Sequence, residues 1–177
     1  MIEAIPTAMA DKEQIIAQIA HAFAAAEYPG DWRLRGSDMG DEPYLLEEEF
    51  KGKTDWRSLD AAFLDQAPDG FGSALSFFSD EAFHFYLPAY LICDIRGQLK
   101  RGGPAFHLWQ GLDDSSRHKR LCGARTYFDH ARYRFSIFNR EEAAAVVAYL
   151  SLHRDENGFA RPMIDQALRN YWLERAG

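Results

Sequence analysis

Cysteine is scarce in this chain. Only Cys93 and Cys122 occur among 177 residues, so no disulfide framework can be read from them. They sit on very different stretches, Cys93 in the most apolar one, and reduced thiols in a cytoplasmic protein are the simplest expectation. Also lacking is an apolar run close to the roughly 20 residues that a membrane-spanning helix needs, so no membrane partner is expected. The N-terminal MIEAIPTAMADKEQ has no basic start followed by an apolar core, which argues against a secretory signal. There is no Gly-x-Ser-x-Gly elbow, neither cysteine has a nucleophile's context, and Gly102-Gly103 is followed by Pro104 rather than by a lysine and a helix. Motif-based enzyme readings are therefore weak, and no cofactor is expected. Positive charge is in deficit as well: 20 Lys and Arg against 27 Asp and Glu leave a net charge of -7, unsuited to holding a polyanion, so a nucleic-acid partner is not expected.

What is present is core material. A chain of this length that is 47% hydrophobic and 14% aromatic forms one domain, burying roughly 70% of the surface its unfolded form exposes. Its centre is the stretch from Ala74 to Leu99. From Ala82 to Ile95 the one charged residue is Asp94, and Phe83, Phe85, Tyr86, Tyr90, Leu87, Leu91 and Ile92 cover nearly every face of a helix. That is the pattern of a buried central helix. Ser79 is a good N-cap, with Asp80 and Glu81 at the favourable end of the helix dipole. Pro88 removes one hydrogen bond and presses on the carbonyl of His84, but a break there would make Leu87 the new cap, a poor one. One Pro-kinked helix from Asp80 to about Leu99 is expected, ended by Gly102, Gly103 and Pro104.

Around it the spacing predicts further helices. After a short flexible tail, residues 1-10, Asp11 caps a helix carrying Ile15, Ile16, Ile19, Phe23 and Ala26. Residues 30 to 43 read as a loop that folds Trp32 onto the core. Pro43 opens a short helix, with Asp41 as its cap, Tyr44, Leu45, Leu46 and Phe50 as its apolar residues and Glu47, Glu48 and Glu49 as its solvated face. Thr54 or Asp55 caps another helix with Trp56, Leu59 and Phe63 on one side, ended at Ala67-Pro68-Asp69-Gly70. A helical turn is expected over Ser73 to Phe78, and a short helix around Phe106, Leu108, Trp109 and Leu112. Tyr127, Tyr133, Phe135 and Ile137 suit an extended or an irregular segment. Asn139 with Glu142 is a capping-box variant opening a helix through Tyr149 and Leu150, and Asp155-Glu156-Asn157-Gly158 separates it from a last helix beginning near Pro162. With no convincing strand pair, the fold expected is an all-α, single-domain bundle around the kinked apolar helix.

The strings Ala74-Leu75-Ser76-Phe77, Glu81-Ala82-Phe83 and Tyr86-Leu87-Pro88-Ala89-Tyr90-Leu91, with Trp56 ahead of them and Arg134-Phe135 after, resemble a group of bacterial proteins of unknown function. The resemblance implies a bacterial, mostly helical, cytoplasmic protein and brings no activity or catalytic residue with it.

Two constellations remain. Glu81 and His84, three apart on the central helix, have the spacing of helical di-metal sites but lack a second Glu-x-x-His, so a surface contact is the plainer reading. Asp80, His84, Asp94 and Gln98 fall near one line if the helix crosses Pro88: either the side that meets water, or the border of a cleft with the freed His84 carbonyl open to a ligand. The charge distribution says more. Residues 38 to 60 hold eight acidic groups against three basic, a net of -5, and residues 96 to 134 hold nine basic against three acidic, a net of +6. Either these segments pair within the fold, or Glu47, Glu48, Glu49, Arg117, Lys119 and Arg120 belong to a surface read by a charged protein partner. The leading expectation is a non-catalytic protein, of immunity or accessory type, acting through macromolecular binding. A small enzyme or ligand- or metal-binding protein with a cleft beside the central helix is the alternative. In a third, nucleic acid stacks on Tyr127, Phe128 and Tyr133.

Overall fold

The axis of the molecule is the helix predicted to be its axis. The computed structural model describes residues 7–66, 74–100, 103–156 and 158–177, of which residues 7–10 are described by their backbone alone. In chain order the helices are α1 (Thr7–Ala22), α2 (Glu42–Phe50), α3 (Ala61–Gln66), α4 (Ala74–Phe77), α5 (Asp80–Ile95), α6 (Ala105–Trp109), α7 (Tyr127–Phe135), α8 (Arg140–Glu156), α9 (Arg161–Ala167) and α10 (Leu173–Ala176). Three-residue 3-10 turns at Asp31–Arg33 and Trp56–Ser58 join the first half, a longer one spans Asp114–Arg117, and a π-helical turn at Leu168–Trp172 welds α9 to α10. A hairpin of β1 (Arg120–Cys122) and β2 (Arg125–Thr126) precedes α7, so the fold is mainly α.

Eleven of the sixteen residues of α5 are buried, which is why it sits inside rather than on the bundle. Ser79 caps it as expected: its Oγ accepts from the Ala82 N–H at 3.0 Å and donates to the Arg33 carbonyl at 2.5 Å. The helix runs through Pro88 without a break, because the rings and aliphatic groups around it hold both halves on one core. It stops four residues earlier than Leu99. Gly97, at φ +65°, donates to the Asp94 carbonyl and Gln98 to the Cys93 carbonyl, the paired bonds of a left-handed helix end that favours glycine. Gly103 and Pro104 lie beyond that end, and Gly102 lies outside the described residues.

Elsewhere the boundaries move for local reasons. Helix α1 is already formed at Thr7, so Asp11 lies inside it and is not its cap, and residues 7–10 are helix rather than tail; residues 1–6 lie outside the described residues. Trp32 is 75% exposed, not folded onto the core. Leu34 takes that place instead, fixed by two strand-like bonds, Gly36 N–H to Phe77 O and Ser79 N–H to Leu34 O. A Cβ on Gly36 would sit 2.5 Å from the Phe78 carbonyl oxygen, so the approach needs glycine. Pro43 opens α2 and Asp41 occupies the cap position without a side-chain bond; Leu46 and Phe50 are buried, while Tyr44 and Leu45 face out. The expected helix after Asp55 is two pieces: Asp55 caps the turn at Trp56–Ser58, and Asp60 Oδ1 accepts from the Phe63 N–H to start α3. The breaker Ala67-Pro68-Asp69-Gly70, Ser73 and Asn157 lie outside the described residues. Tyr127 to Phe135 is helix rather than extended chain, because Thr126 and Asp129 close a full capping box and Phe128, Ala131 and Phe135 share a buried stripe.

Helix α1 packs against both α5 and α8. Polar bridges tie those two to each other. Near their starts His84 Nε2 of α5 lies 2.9 Å from Glu142 Oε2 of α8. Near their ends Asp94 of α5 accepts from the Tyr149 hydroxyl at 2.6 Å and pairs with His153 Nε2 at 3.2 Å, both on α8. Glu142, 4% exposed, also accepts from the Asn139 N–H at 2.8 Å while its own N–H donates to Asn139 Oδ1 at 2.9 Å, completing the expected capping box. The core closes against the last helices through Phe135, Phe138 and Trp172, whose Nε1–H donates to the Leu108 carbonyl at 2.8 Å.

Candidate functional site: an interaction surface

The polar groups of the central helix are engaged inside the fold. Asp80 Oδ1 lies 3.4 Å from Arg134 Nε, and burial pushes its carboxyl up while Arg134 and His130 hold it down. Glu81 pairs with Arg33 at 3.2 Å. The His84 ring packs between Phe23 and Phe138, with centroids at 5.6 and 5.1 Å, rather than lining a cleft. Asp94 bridges to α8, and Gln98 falls beyond the helix end, where it lines the cleft along the second half of α5. Glu81 and His84 turn to different partners, and among the described residues no group of three or more His, Cys, Asp or Glu side chains converges. These groups act as ties between elements. The segments that carried the family resemblance meet at one of them: Arg134 also donates to the Leu75 carbonyl at 3.2 Å and lies 4.2 Å over the Phe83 ring.

Clefts do border the central helix: one of about 400 Å³ at its start, lined by Asp80, Glu81, His130 and Arg134 but not by His84, and one of about 580 Å³ along its second half. Ile16, Trp56, Ala89, Ile92 and Cys93 line the latter, with Arg57, Asp60 and Arg96 also on its walls. Burial pushes the Cys93 thiol up, away from the thiolate.

The charged segments behave differently from the strip. Glu47 pairs with Arg35, which also holds Asp38 at 2.9 Å, and Glu48 and Glu49 are exposed. On the basic side Arg117 lies 3.8 Å over the Phe128 ring, and Lys119 and Arg120 are exposed. Among the described residues no ion pair joins the two segments. Phe128 is buried and so offers no stacking surface.

The hairpin that follows was not foreseen, though Gly123 between alternating residues was its signal. All of β1 is exposed, including Leu121 at 40%, so the hairpin adds nothing to the core. It leans on α7, where Arg125 reaches to 5.8 Å from the Tyr133 ring. Tyr133 is 66% exposed, and Tyr127 and Ile137 are exposed beside it in sequence. Among the described residues Arg117, Lys119, Arg120, Arg125 and Arg132 enter no ion pair. The result is a face of guanidinium groups and rings, the composition that dominates protein contact cores.

No helix of the described chain is long and apolar enough to cross a membrane. Neither a curated protein nor a solved structure matches the chain. The model of a family of unknown function, DUF6714, matches residues 11–176. Nearly the whole of the fold described above lies inside that match, and the chain belongs to this family.

Proposed function

We propose that this chain is a non-catalytic binding module, acting in the bacterial cytoplasm as an immunity or accessory protein, whose hairpin-and-α7 face engages an acidic surface of another protein. The observation that carries the reading is a set of cations on and around a hairpin that buries none of β1; they form no salt bridge among the described residues, with Asp114 and Asp129 only within electrostatic reach of Arg117 and Arg125. A structural hairpin places apolar residues inward; this one directs Arg120, Leu121 and Arg125 to solvent, with Tyr133 beside them. Arg and Tyr favour a protein partner over a nucleic acid, because a net charge of -7 repels an extended polyanion beyond the reach of the local patch. Glu48 and Glu49, unpaired among the described residues, supply the opposite sign that orients the partner. A pull-down from the native host tests it, comparing the chain with a folded variant carrying Lys119, Arg120 and Arg125 all changed to Glu. An acidic partner retained only by the unaltered chain, and released by salt, supports the reading. Identical captures by both refute it, and capture of nucleic acid alone replaces the partner.

One observation favours the second reading, a small enzyme or ligand- or metal-binding protein: the cleft beside α5 with Trp56, Cys93 and Arg96. A stoichiometric metal or small molecule retained by the purified protein, and lost when the exposed wall residue Ala62 is enlarged to Trp in a variant that still folds, would establish it.

A further inference from the structure

A second concentration of positive charge lies at the other end of α7. Arg132 of α7, Arg140 at the start of α8 and Arg175 of α10 line one cleft of about 670 Å³, together with Tyr133 and Tyr171. None of the three guanidinium groups enters an ion pair among the described residues. This sets them apart from Arg33, Arg35, Arg134, Arg154 and Arg169, each of which has a carboxylate. Arg175 is moreover held in place by neutral groups: Nε donates to the Phe138 carbonyl and Nη2 to the Ser136 carbonyl, both at 2.7 Å. Its orientation is set without cancelling its charge, which is the condition for a preorganised anion site.

The walls of the cleft are rings. Tyr171 belongs to the π-helical turn, an irregularity that recurs at functional sites. Burial pushes its phenol up, Arg175 and Arg132 pull it down and Glu174 pushes it up, so both cations and that one carboxylate lie within electrostatic reach of its hydroxyl. Two carboxylates share the cleft. Asp129 accepts from the Thr126 N–H and hydroxyl at 2.9 and 2.8 Å and lies within electrostatic reach of Arg132 without a salt bridge, and Glu174 forms no ion pair among the described residues.

We propose that the cleft of Arg132, Arg140 and Arg175 binds a phosphomonoester carried on a flat ring, its oxyanion among the guanidinium groups and its ring against Tyr133 and Tyr171. Three separate guanidinium groups match the three terminal oxygens of a phosphomonoester, whereas a carboxylate is satisfied by one bidentate arginine. The two tyrosine rings provide the flat apolar contact that an inorganic ion would leave unused. The site stands whether or not the hairpin has a protein partner, since Arg140, Tyr171 and Arg175 lie outside that face.

Titration of the full chain, followed through its arginine side-chain NMR signals, tests the proposal with phenyl phosphate, adenosine monophosphate, inorganic phosphate and benzoate. The ring-bearing phosphates should bind with dissociation constants at or below about 1 mM. Inorganic phosphate and benzoate should bind about tenfold more weakly, the loss of roughly one good contact. Preference for adenosine monophosphate assigns a nucleoside source and preference for phenyl phosphate an aryl source. Arg132 and Arg140 are exposed, so the double variant R132Q/R140Q keeps the fold and should lose the binding, while E174Q should tighten it. Absence of saturable shifts, equal binding of inorganic phosphate or benzoate, or unchanged binding in the double variant overturns the proposal.

Discussion

Replacing Glu142 separates two jobs that one buried carboxylate performs. It closes the capping box of α8 through the Asn139 N–H, and it faces His84 across to the central helix at 2.9 Å. Glu142→Gln keeps an oxygen for the cap and removes the charge; Glu142→Ala removes both. Loss of a cap costs about 1 kcal/mol. His84 Nε2 lies 2.9 Å from the carboxylate without an aligned hydrogen bond, so the contact is electrostatic, and removing it from a largely buried imidazole adds about 1–3 kcal/mol. The alanine variant should therefore lose about 2–4 kcal/mol and the glutamine variant about 1–3 kcal/mol. For a domain of this size each kcal/mol moves the melting temperature by about 2–4 °C, so the alanine variant should melt roughly 4–16 °C lower. Urea unfolding followed by tryptophan fluorescence gives the free energies, and combining each change with His84→Ala closes a double-mutant cycle. A coupling energy between positions 84 and 142 below about 0.3 kcal/mol would show that the pair is mere proximity and refute the reasoning.

Other expectations follow the same geometry. Asp94 raises the His153 pKa by accepting its hydrogen bond, so D94N should bring the imidazole titration, read by NMR, back toward its ordinary value. Because the folded pKa is the raised one, the stability it adds is fully present below the ordinary histidine pKa, about 6.5, and is lost as pH rises through the folded value; D94N should flatten that window. His107 has the opposite sign, with burial first and Arg134 second holding it down to about 4. Stability should thus climb between pH about 4 and about 6.5, by an amount on the order of 3 kcal/mol, and His107→Gln should remove that slope in pH-dependent urea titrations. Gly36→Ala should cost more than about 1 kcal/mol, since its new methyl meets backbone rather than a mobile side chain, and an unchanged melting temperature would contradict the close approach.

Helices whose ends are written in adjacent residues were the legible ones. The Asn139–Glu142 box and the Ser79 cap are local chemistry, and both stand where the spacing puts them. Helix α7 carried an equally local signal, Thr126 with Asp129, but its buried stripe is only Phe128, Ala131 and Phe135 among arginines and tyrosines, and the apolar period is drowned. The early stop of α5 at Gly97 was masked by the louder Gly102-Gly103-Pro104 beyond it. Trp32 misled because size alone does not decide burial: two backbone bonds at Gly36 and Ser79 orient the segment and send Leu34 inward. The partners of the polar strip had no sequence signal at all. His84 and Glu142 are 58 residues apart in numbering, and only the packing of α1 between two long helices brings them together.

The bridges between α5 and α8 also give the bundle a direction. Each helix contributes one imidazole and one carboxylate to these bridges, about 15 Å apart along its axis, in opposite order. Laid side by side in the same sense, every base meets an acid. Turn either helix end for end and His84 would confront His153 while Asp94 confronted Glu142, two mismatches in place of two matches. An apolar rod with rings on nearly every face has little of its own to tell up from down, and two crossed imidazole–carboxylate contacts supply that distinction.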